Sequence, residues 1–447
     1  MKGLFVIIGL LCCLHSVAFS PNSGNNPAKS VERMVSTDTT SSGSQPPLVK
    51  IRTITAFVSL AENDPKVVHP KLEATISKIK EVETNLSQNG YEVQTIRIAT
   101  NSFEDWLWKV DDSSTESIEK ALDFLKGLDD LLQEHSIDFM ALGPAKHPKT
   151  VQTIVPRIIQ SSPRLSLSAN MKGHMDLEMA QACAACVHEI AQIQSPEYME
   201  DGLGNFRFGV AACCDKTPIP FFPVARAPPD SPTQFAIGLE NGRLAQHLLS
   251  QCNSIHDIAT TFRDGMQTAV EPIQTLCESF STLDFTYCGM DTSLNPSLDE
   301  DGSVAAALEL VPELAYLGGP GSLAVANAIT KALQSIPQRT GYCGLMLPLC
   351  EDARLAALAN QGAMKVTNLL SISAVCGVGV DTVPLPGDVD PNLLTALYLD
   401  VAALAHRYDK PLSCRIFPAP GKQAGDFTTF DSPHMINAKA LSLDIDG

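Results

Sequence analysis

At 447 residues, 44% of them apolar and with a mean hydropathy of +0.04, the chain has ample material for a large buried core. Length alone does not fix the domain count, because α/β barrels of more than ~250 residues fold as one unit. The formal net charge is −18, and no Lys/Arg run is interleaved with aromatic residues, which argues against a nucleic-acid partner: a polyanion would be repelled rather than gathered.

The first apolar stretch, Leu4 to Leu14, is too short at about 11 residues to span a bilayer. Lys2 before it and the small-x-small signal Ser16-Val17-Ala18 after it predict a secretory signal peptide over residues 1–18. Residues 19–50, rich in Ser, Thr, Asn and Pro without an apolar period, read as a disordered, transit-like segment, with Glu32 and Asp38 as acidic departures from that composition. Phe19, directly after the cleavage signal, resembles the bipartite presequences of algae whose plastids came from a red alga. A plastid is therefore the expected destination, with secretion as the alternative, and no membrane association is expected of the mature protein. The sequon Asn85-Leu86-Ser87 would carry a glycan only on the secretory route. Of the 13 cysteines, 11 lie beyond the presequence; an odd number scattered through apolar stretches predicts buried free thiols rather than a disulfide framework.

From Ile51 onward, β-branched runs alternate with helical ones. The strand "IRTITAFVSL" leads to a helix from His69 that closes on Asn89-Gly90, a C-cap signal. "YEVQTIRIAT" is followed by the helix "STESIEKALDFLKGLDDLLQEH", with Ser/Thr-x-x-Glu capping chemistry at its start. Strands "IDFMALG", "RLSLSAN", "FRFGVAACC", "TQFAIGLE" and "LDFTYCGMD" follow, with helices between them near 150–160, over "MDLEMAQACAACVHEIAQIQ" and in one or two pieces over 241–281. The last part predicts helix "SLAVANAITKALQSI", strand "TGYCGLMLP", helix "DARLAALANQG", strand "LLSISAVCGVGVD", helix "PNLLTALYLDVAALAHRY" and strand "PLSCRIFPAP". This order predicts a single α/β domain over residues 51–447 with largely parallel pairing, ending after Gly421 in a polar tail expected to pack over the domain as irregular structure. Residues 213–234 form a proline-rich, aromatic-bearing segment that reads as a lid or binding loop.

In parallel α/β architectures ligands sit beyond the carboxyl ends of strands, so chemistry is sought there. Asp291 and Asp381, each placed just past an apolar strand, are candidate general acid/base groups, with helix capping as the alternative. Cys376, within the predicted strand that Asp381 follows, is a further candidate whose plainer reading is a buried thiol. Arg52 and Arg97 stand inside apolar strands, where an unpaired guanidinium is costly, so each needs an acidic partner or an anionic ligand. Glu240, ending "FAIGLE", is a plausible partner. The turn holding Gly319, Gly321 and Ser322 before a helix offers outward N–H groups to an anion, or is simply a tight turn. Cys183-x-x-Cys186 lies mid-helix without a second ligand pair and reads as core; Cys213-Cys214 heads the proline-rich loop. The lone G-x-G at 377–379 is no nucleotide fingerprint. Neither a Ser-His-Asp elbow, a P-loop nor H-E-x-x-H is present, the histidines show no ligand spacing, and no metal is expected; the cofactor stays open.

The segments "IRTITAFVSL", "GYEVQTIRIATN", "FGVAACCDKTPIPFFP", "FAIGLE", "GYCGLMLPLCED", "VCGVGVDTVPLPGD" and "KPLSCRIFPAPGKQAGD" together resemble the domain-of-unknown-function family numbered 711, over about Ile51 to Asp426. That family resembles the pyruvate formate-lyase-like superfamily. The resemblance implies a ten-stranded α/β barrel, shared with glycyl-radical enzymes whose radical glycine lies in an Arg-Val-Ser-Gly-Tyr type motif. No such motif occurs here: "CRIFPAPG" is the nearest C-terminal stretch and does not match, so glycyl-radical catalysis is not implied. The expected function is an enzyme acting by general acid/base chemistry on a small anionic metabolite, a phosphate or carboxylate. The alternative is a small-molecule-binding or scaffold protein that has lost catalysis.

Overall fold

The computed structural model describes residues 46–109, 114–193 and 200–444. The predicted signal peptide, and the transit-like segment up to residue 45, lie outside the described residues. Residues 46–50 already belong to the fold: Val49 is buried, and the Leu48 carbonyl accepts the Leu244 N–H at 3.2 Å.

Nine strands form one sheet: β1 (Lys50–Val58), β2 (Ile96–Thr100), β3 (Phe139–Ala145), β4 (Leu165–Met171), β5 (Phe208–Ala212), β6 (Thr233–Glu240), β7 (Phe285–Asp291), β8 (Gly379–Pro386) and β9 (Leu412–Ala419). Their order is β7-β6-β1-β2-β3-β4-β5-β9-β8. β1 to β5 run parallel; β6 is antiparallel to β1 and β9 to β5, while β7 and β8 run parallel to β6 and β9. The strands are buried on both faces, which explains their near-continuous apolar character. Helices supply the cover. The helix Pro65–Gln88 starts on Asp64, whose carboxylate accepts the Lys66 N–H, and buries Val68, Leu72, Ile76, Ile79, Val82 and Leu86 along one stripe.

Among the described residues the regular sheet has nine strands and is not closed, so it does not bear out the ten-stranded barrel implied by the family resemblance. The predicted strand "TGYCGLMLP" instead makes isolated parallel bridges. Arg339 and Leu345 bridge to Met290 and Leu294 at the β7 edge, and Pro348 bridges to Asp381 on β8. Gly341 (φ 78°) and Cys343 (φ 48°) are in the left-handed region, which interrupts an extended run and explains why the ladder breaks.

A second difference concerns "LLSISAVCGVGVD". Its first half is not a strand: Val366–Ser373 is a helix burying Val366, Leu369, Ile372 and Ser373, with the Asn368 side chain accepting the Lys365 N–H at 2.9 Å. A short apolar run has no period of its own that separates strand from helix. Cys376 therefore sits in the turn before β8, and Asp381 lies inside β8 rather than past it.

The proline-rich segment crosses one face of the sheet. Thr55 of β1 donates to the Pro220 carbonyl at 2.6 Å, and Phe222 stacks on Phe139 of β3 with centroids 4.6 Å apart. Phe221 and Pro223 occupy space left by Gly238 of β6 and Gly209 of β5, where a Cβ would come within 2.5 Å and 2.9 Å of them. After Gly421 the tail crosses the domain irregularly, tied by Ile436 N–H to the Cys350 carbonyl (2.6 Å) and Leu441 N–H to the Pro384 carbonyl (2.9 Å).

Candidate active site

Between the sheet, the loop and the residues following Arg339 lies a cavity of about 60 Å³. Its charged lining comes from four strands and one turn: Arg52 from β1, Arg97 from β2, Asp381 from β8, Arg415 from β9, and Glu351 from the turn after Leu349. Parallel register sets Arg97 one strand over from Arg52, Thr55 being paired with Arg97.

Arg415 forks onto Asp381, with Nε 2.6 Å from Oδ1 and Nη2 3.0 Å from Oδ2, and the same Nη2 reaches Glu351 at 3.1 Å. Its Nη1 donates to the Phe206 carbonyl at 3.1 Å. Burial disfavours the Arg415 charge, but Asp381 and Glu351 outweigh it and raise its pKa. Arg52 Nη1 lies 3.4 Å from Glu240 and donates to Gln94 at 3.1 Å; Gln94 in turn donates to Glu240 at 3.0 Å. Arg52 Nη2 is 3.7 Å from Glu351. Glu351 is thus held between two arginines, yet burial raises its pKa; Arg415 works against the rise and Asp381 adds to it.

Arg97 is different. It is 5% exposed, its Nε donates to Thr95 Oγ1 at 3.0 Å, and it has no ion-pair partner among the described residues. Its guanidinium lies 4.5 Å from the ring centre of Phe222 and 5.6 Å from that of Phe139. Burial, then the nearby charge of Arg52, lower its pKa to about 9.

The other sequence candidates lie off this cavity. Asp291, fully buried at the end of β7, accepts hydrogen bonds from Ser293 N–H (3.0 Å), Ser293 Oγ (2.6 Å), Tyr342 N–H (2.8 Å) and Cys343 N–H (3.0 Å). Burial raises its pKa despite those bonds. It acts at one remove: it ties the residues after Arg339 to β7 and fixes Tyr342, whose hydroxyl bonds Ser413 at 2.9 Å in the cavity wall. Gly319, Gly321 and Ser322 form a closed turn. Ser322 Oγ accepts the Gly318 N–H (2.9 Å) and donates to the Gly319 carbonyl (2.6 Å), while a Cβ on Gly321 would lie 2.4 Å from the Glu313 carbonyl oxygen. Cys376 Sγ accepts the Leu345 N–H at 2.9 Å, and burial raises its pKa. Cys213 and Cys214 are buried, with Cys213 Sγ 3.4 Å from His406 Nδ1. All 11 described cysteines are free. Among the described residues no group of three or more His, Cys, Asp or Glu side chains is placed to hold a metal ion.

Of the sequence candidates, the cavity brings together Arg52, Arg97 and Asp381, with Glu240 behind Arg52. It adds Arg415 and Glu351, which the sequence reading did not select. Arg415 carried the same signal as the other two arginines, a guanidinium inside an apolar strand, in "PLSCRIFPAP".

The fold and cavity define an α/β protein with a buried arginine–carboxylate cluster beneath a proline-rich loop. The profile of the family described as Uncharacterised ACR (DUF711) matches residues 45–432, and the chain belongs to that family. It is similar to a UPF0210 protein of Pyrobaculum islandicum, 26% identical over 401 residues that cover 83% of this chain and 86% of the relative. A UPF0210 protein of Pyrobaculum arsenaticum is 38% identical over 150 residues, 32% of this chain and about a third (33%) of the relative's length. One of Lacticaseibacillus paracasei is 33% identical over 153 residues, 33% of this chain and 34% of the relative.

Proposed function

We propose that this chain is an enzyme whose substrate is a small anionic metabolite, a carboxylate or phosphate, bound at Arg97 and turned over by general acid/base chemistry. The observation that carries this reading is Arg97 itself: a buried guanidinium on the cavity wall with no carboxylate in ion-pair contact among the described residues, the charges of Asp138 and Glu351 acting on it only from a distance. Glu351 is the acid/base group, because burial and the charge of Asp381 favour its neutral form while Arg415, Arg52 and Arg97 keep the ionised form accessible. Asp381, locked by Arg415, holds the cluster in place and serves as the second carboxylate. The isolated bridges from Arg339, Leu345 and Pro348 to both sheet edges support reading the sheet as an irregularly closed barrel of the pyruvate formate-lyase-like kind. That kinship carries no reaction with it.

Thermal-shift and calorimetric titration of the purified protein with phosphorylated and carboxylated metabolites tests the reading. Stabilisation by at least one such anion, lost in Arg97→Met, is expected. If no anion stabilises the protein, or if Arg97→Met binds unchanged, the reading fails. One observation favours the non-catalytic alternative: Arg52 and Arg415 are already matched by Glu240, Glu351 and Asp381. A ligand that binds equally to Glu351→Gln and wild type, and that neither protein converts, would support a binding protein.

We further propose that residues 1–50 direct the chain to a plastid, on the composition of that segment and Phe19 after the cleavage signal. A fluorescent protein fused to residues 1–50 should accumulate in plastids. Secretion of the fusion, with a glycan on Asn85 of the full protein, would overturn this.

A further inference from the structure

A second cavity of about 470 Å³ lies beside the charged one. Its volume falls within the ~300–1,000 Å³ of small-molecule sites. Phe139, Leu203, Phe206 and Met435 make its wall mainly apolar, while Asp138, Asp431 and His434 line its polar part. The two spaces adjoin. Phe206 lines both, and Phe139 of the larger stacks on Phe222 of the smaller beneath the Arg97 guanidinium. His434, exposed on one side, has its pKa lowered by partial burial first and then by the charges of Arg52 and Arg97.

The roof of this chamber is the tail. Asn437 Oδ1 accepts the Phe430 N–H at 2.7 Å and pairs with Thr428 Oγ1 at 3.0 Å, closing the neck of a small loop. Phe430 and Met435 are buried at its feet, while Asp431, Pro433 and His434 are exposed at its tip. The chamber's own cations are engaged: Arg164 pairs with Asp129 at 3.2 Å, and Arg207 donates to the carbonyls of Ile159, Ser162 and Leu165. Among the described residues both guanidinium groups have hydrogen-bond partners, Arg164 a carboxylate and Arg207 three backbone carbonyls.

The charged cavity, at about 60 Å³, has room for a head group and little more. The remainder of a larger ligand needs the neighbouring space. Resting on the reading of Arg97 as an anion site, we propose that the ligand is a single-headed organic anion. Its carboxylate or phosphate meets Arg97, and an aromatic or compact apolar body fills the chamber between Phe139, Leu203, Phe206 and Met435 under the tail.

Isothermal titration of the purified protein with inorganic phosphate, phenyl phosphate, acetate and phenylacetate tests this. The aromatic member of at least one pair should bind about tenfold tighter or more than its headgroup-only counterpart, since burying a ring in an apolar site is favourable by ~25 cal/mol per Å². Leu203→Trp and Pro433→Trp, which fill the chamber, should abolish that margin and leave the phosphate or acetate affinity unchanged. Pro433 is an exposed tail position, so its variant keeps the test open if Leu203→Trp fails to fold. Equal binding within both pairs, or a margin that survives in Pro433→Trp, overturns the chamber assignment while the anion site stands. If none of the four probes binds, both readings fall.

Discussion

Arg97 is buried and has no ion-pair contact among the described residues, so it should separate stability from binding. Its pKa of about 9 in the fold lies below the ordinary arginine value, so the folded chain holds that proton less tightly than the unfolded chain. The charged form therefore costs stability at neutral pH, and the cost fades as pH rises through about 9. Arg97→Met is expected to melt at the same temperature as wild type or higher at pH 7, while losing the anion-induced shift; a clear drop in Tm without ligand would contradict this. Glu351 gives a prediction with its own sign. Its raised pKa means that the fold prefers the neutral carboxyl, a preference present at low pH and lost as pH rises through the folded value. Glu351→Gln, which mimics the neutral form, should gain stability relative to wild type as pH rises from about 4 toward neutrality. Denaturant melts of both proteins across that range would measure the difference. At this scale the sequence was informative where a residue was out of character: Arg52 and Arg97 in apolar strands marked the cavity. It was less so for Asp291, because an acid after a strand looks the same whether it faces a ligand or four protein donors.

At the scale of elements, the loop over the sheet depends on two glycines. A methyl group on Gly238 would lie 2.5 Å from Phe221 Cζ, with Thr53 close by as well. Gly238→Ala should cost about 1–3 kcal/mol through overpacking. Adding Phe221→Ala should recover part of that loss, because the two groups compete for one space. Chemical denaturation of the two single variants and the double variant measures the coupling; additive losses would mean that the loop does not bear on Gly238. The elements themselves were largely legible, since strand–helix alternation and caps such as Asn89-Gly90 are local signals. Two were not. The residues after Arg339 carry strand-like composition, but left-handed backbone at Gly341 and Cys343, held by Asp291, breaks the ladder. Val366–Ser373 was too short for its apolar spacing to be distinguished from that of a strand.

For the molecule as a whole, the irregular tail behaves as part of the core. Phe430, Met435, Ala438, Ala440 and Leu441 are buried, and Phe430 packs edge-on against Phe417 of β9 with centroids 5.8 Å apart. A chain ending at Gly421 should therefore melt more than about 5 °C below the full-length protein by calorimetry. An unchanged Tm would show that the tail merely lies on the surface. The sequence predicts a tail packed over the domain as irregular structure, but which of its residues are buried is not legible there, because they are spaced with no helical or strand period.

Phe222 has a wider consequence. Its ring lies 4.5 Å from the Arg97 guanidinium carbon and 5.7 Å from that of Arg415, so one aromatic face from the loop borders two like charges. Lifting the loop would then be an electrostatic event as much as a steric one, admitting water to both guanidinium groups and weakening their hold on any guest. Were an anion held at Arg97 only beneath the closed loop, the free energy by which it favoured closure would equal the free energy by which closure favoured the anion.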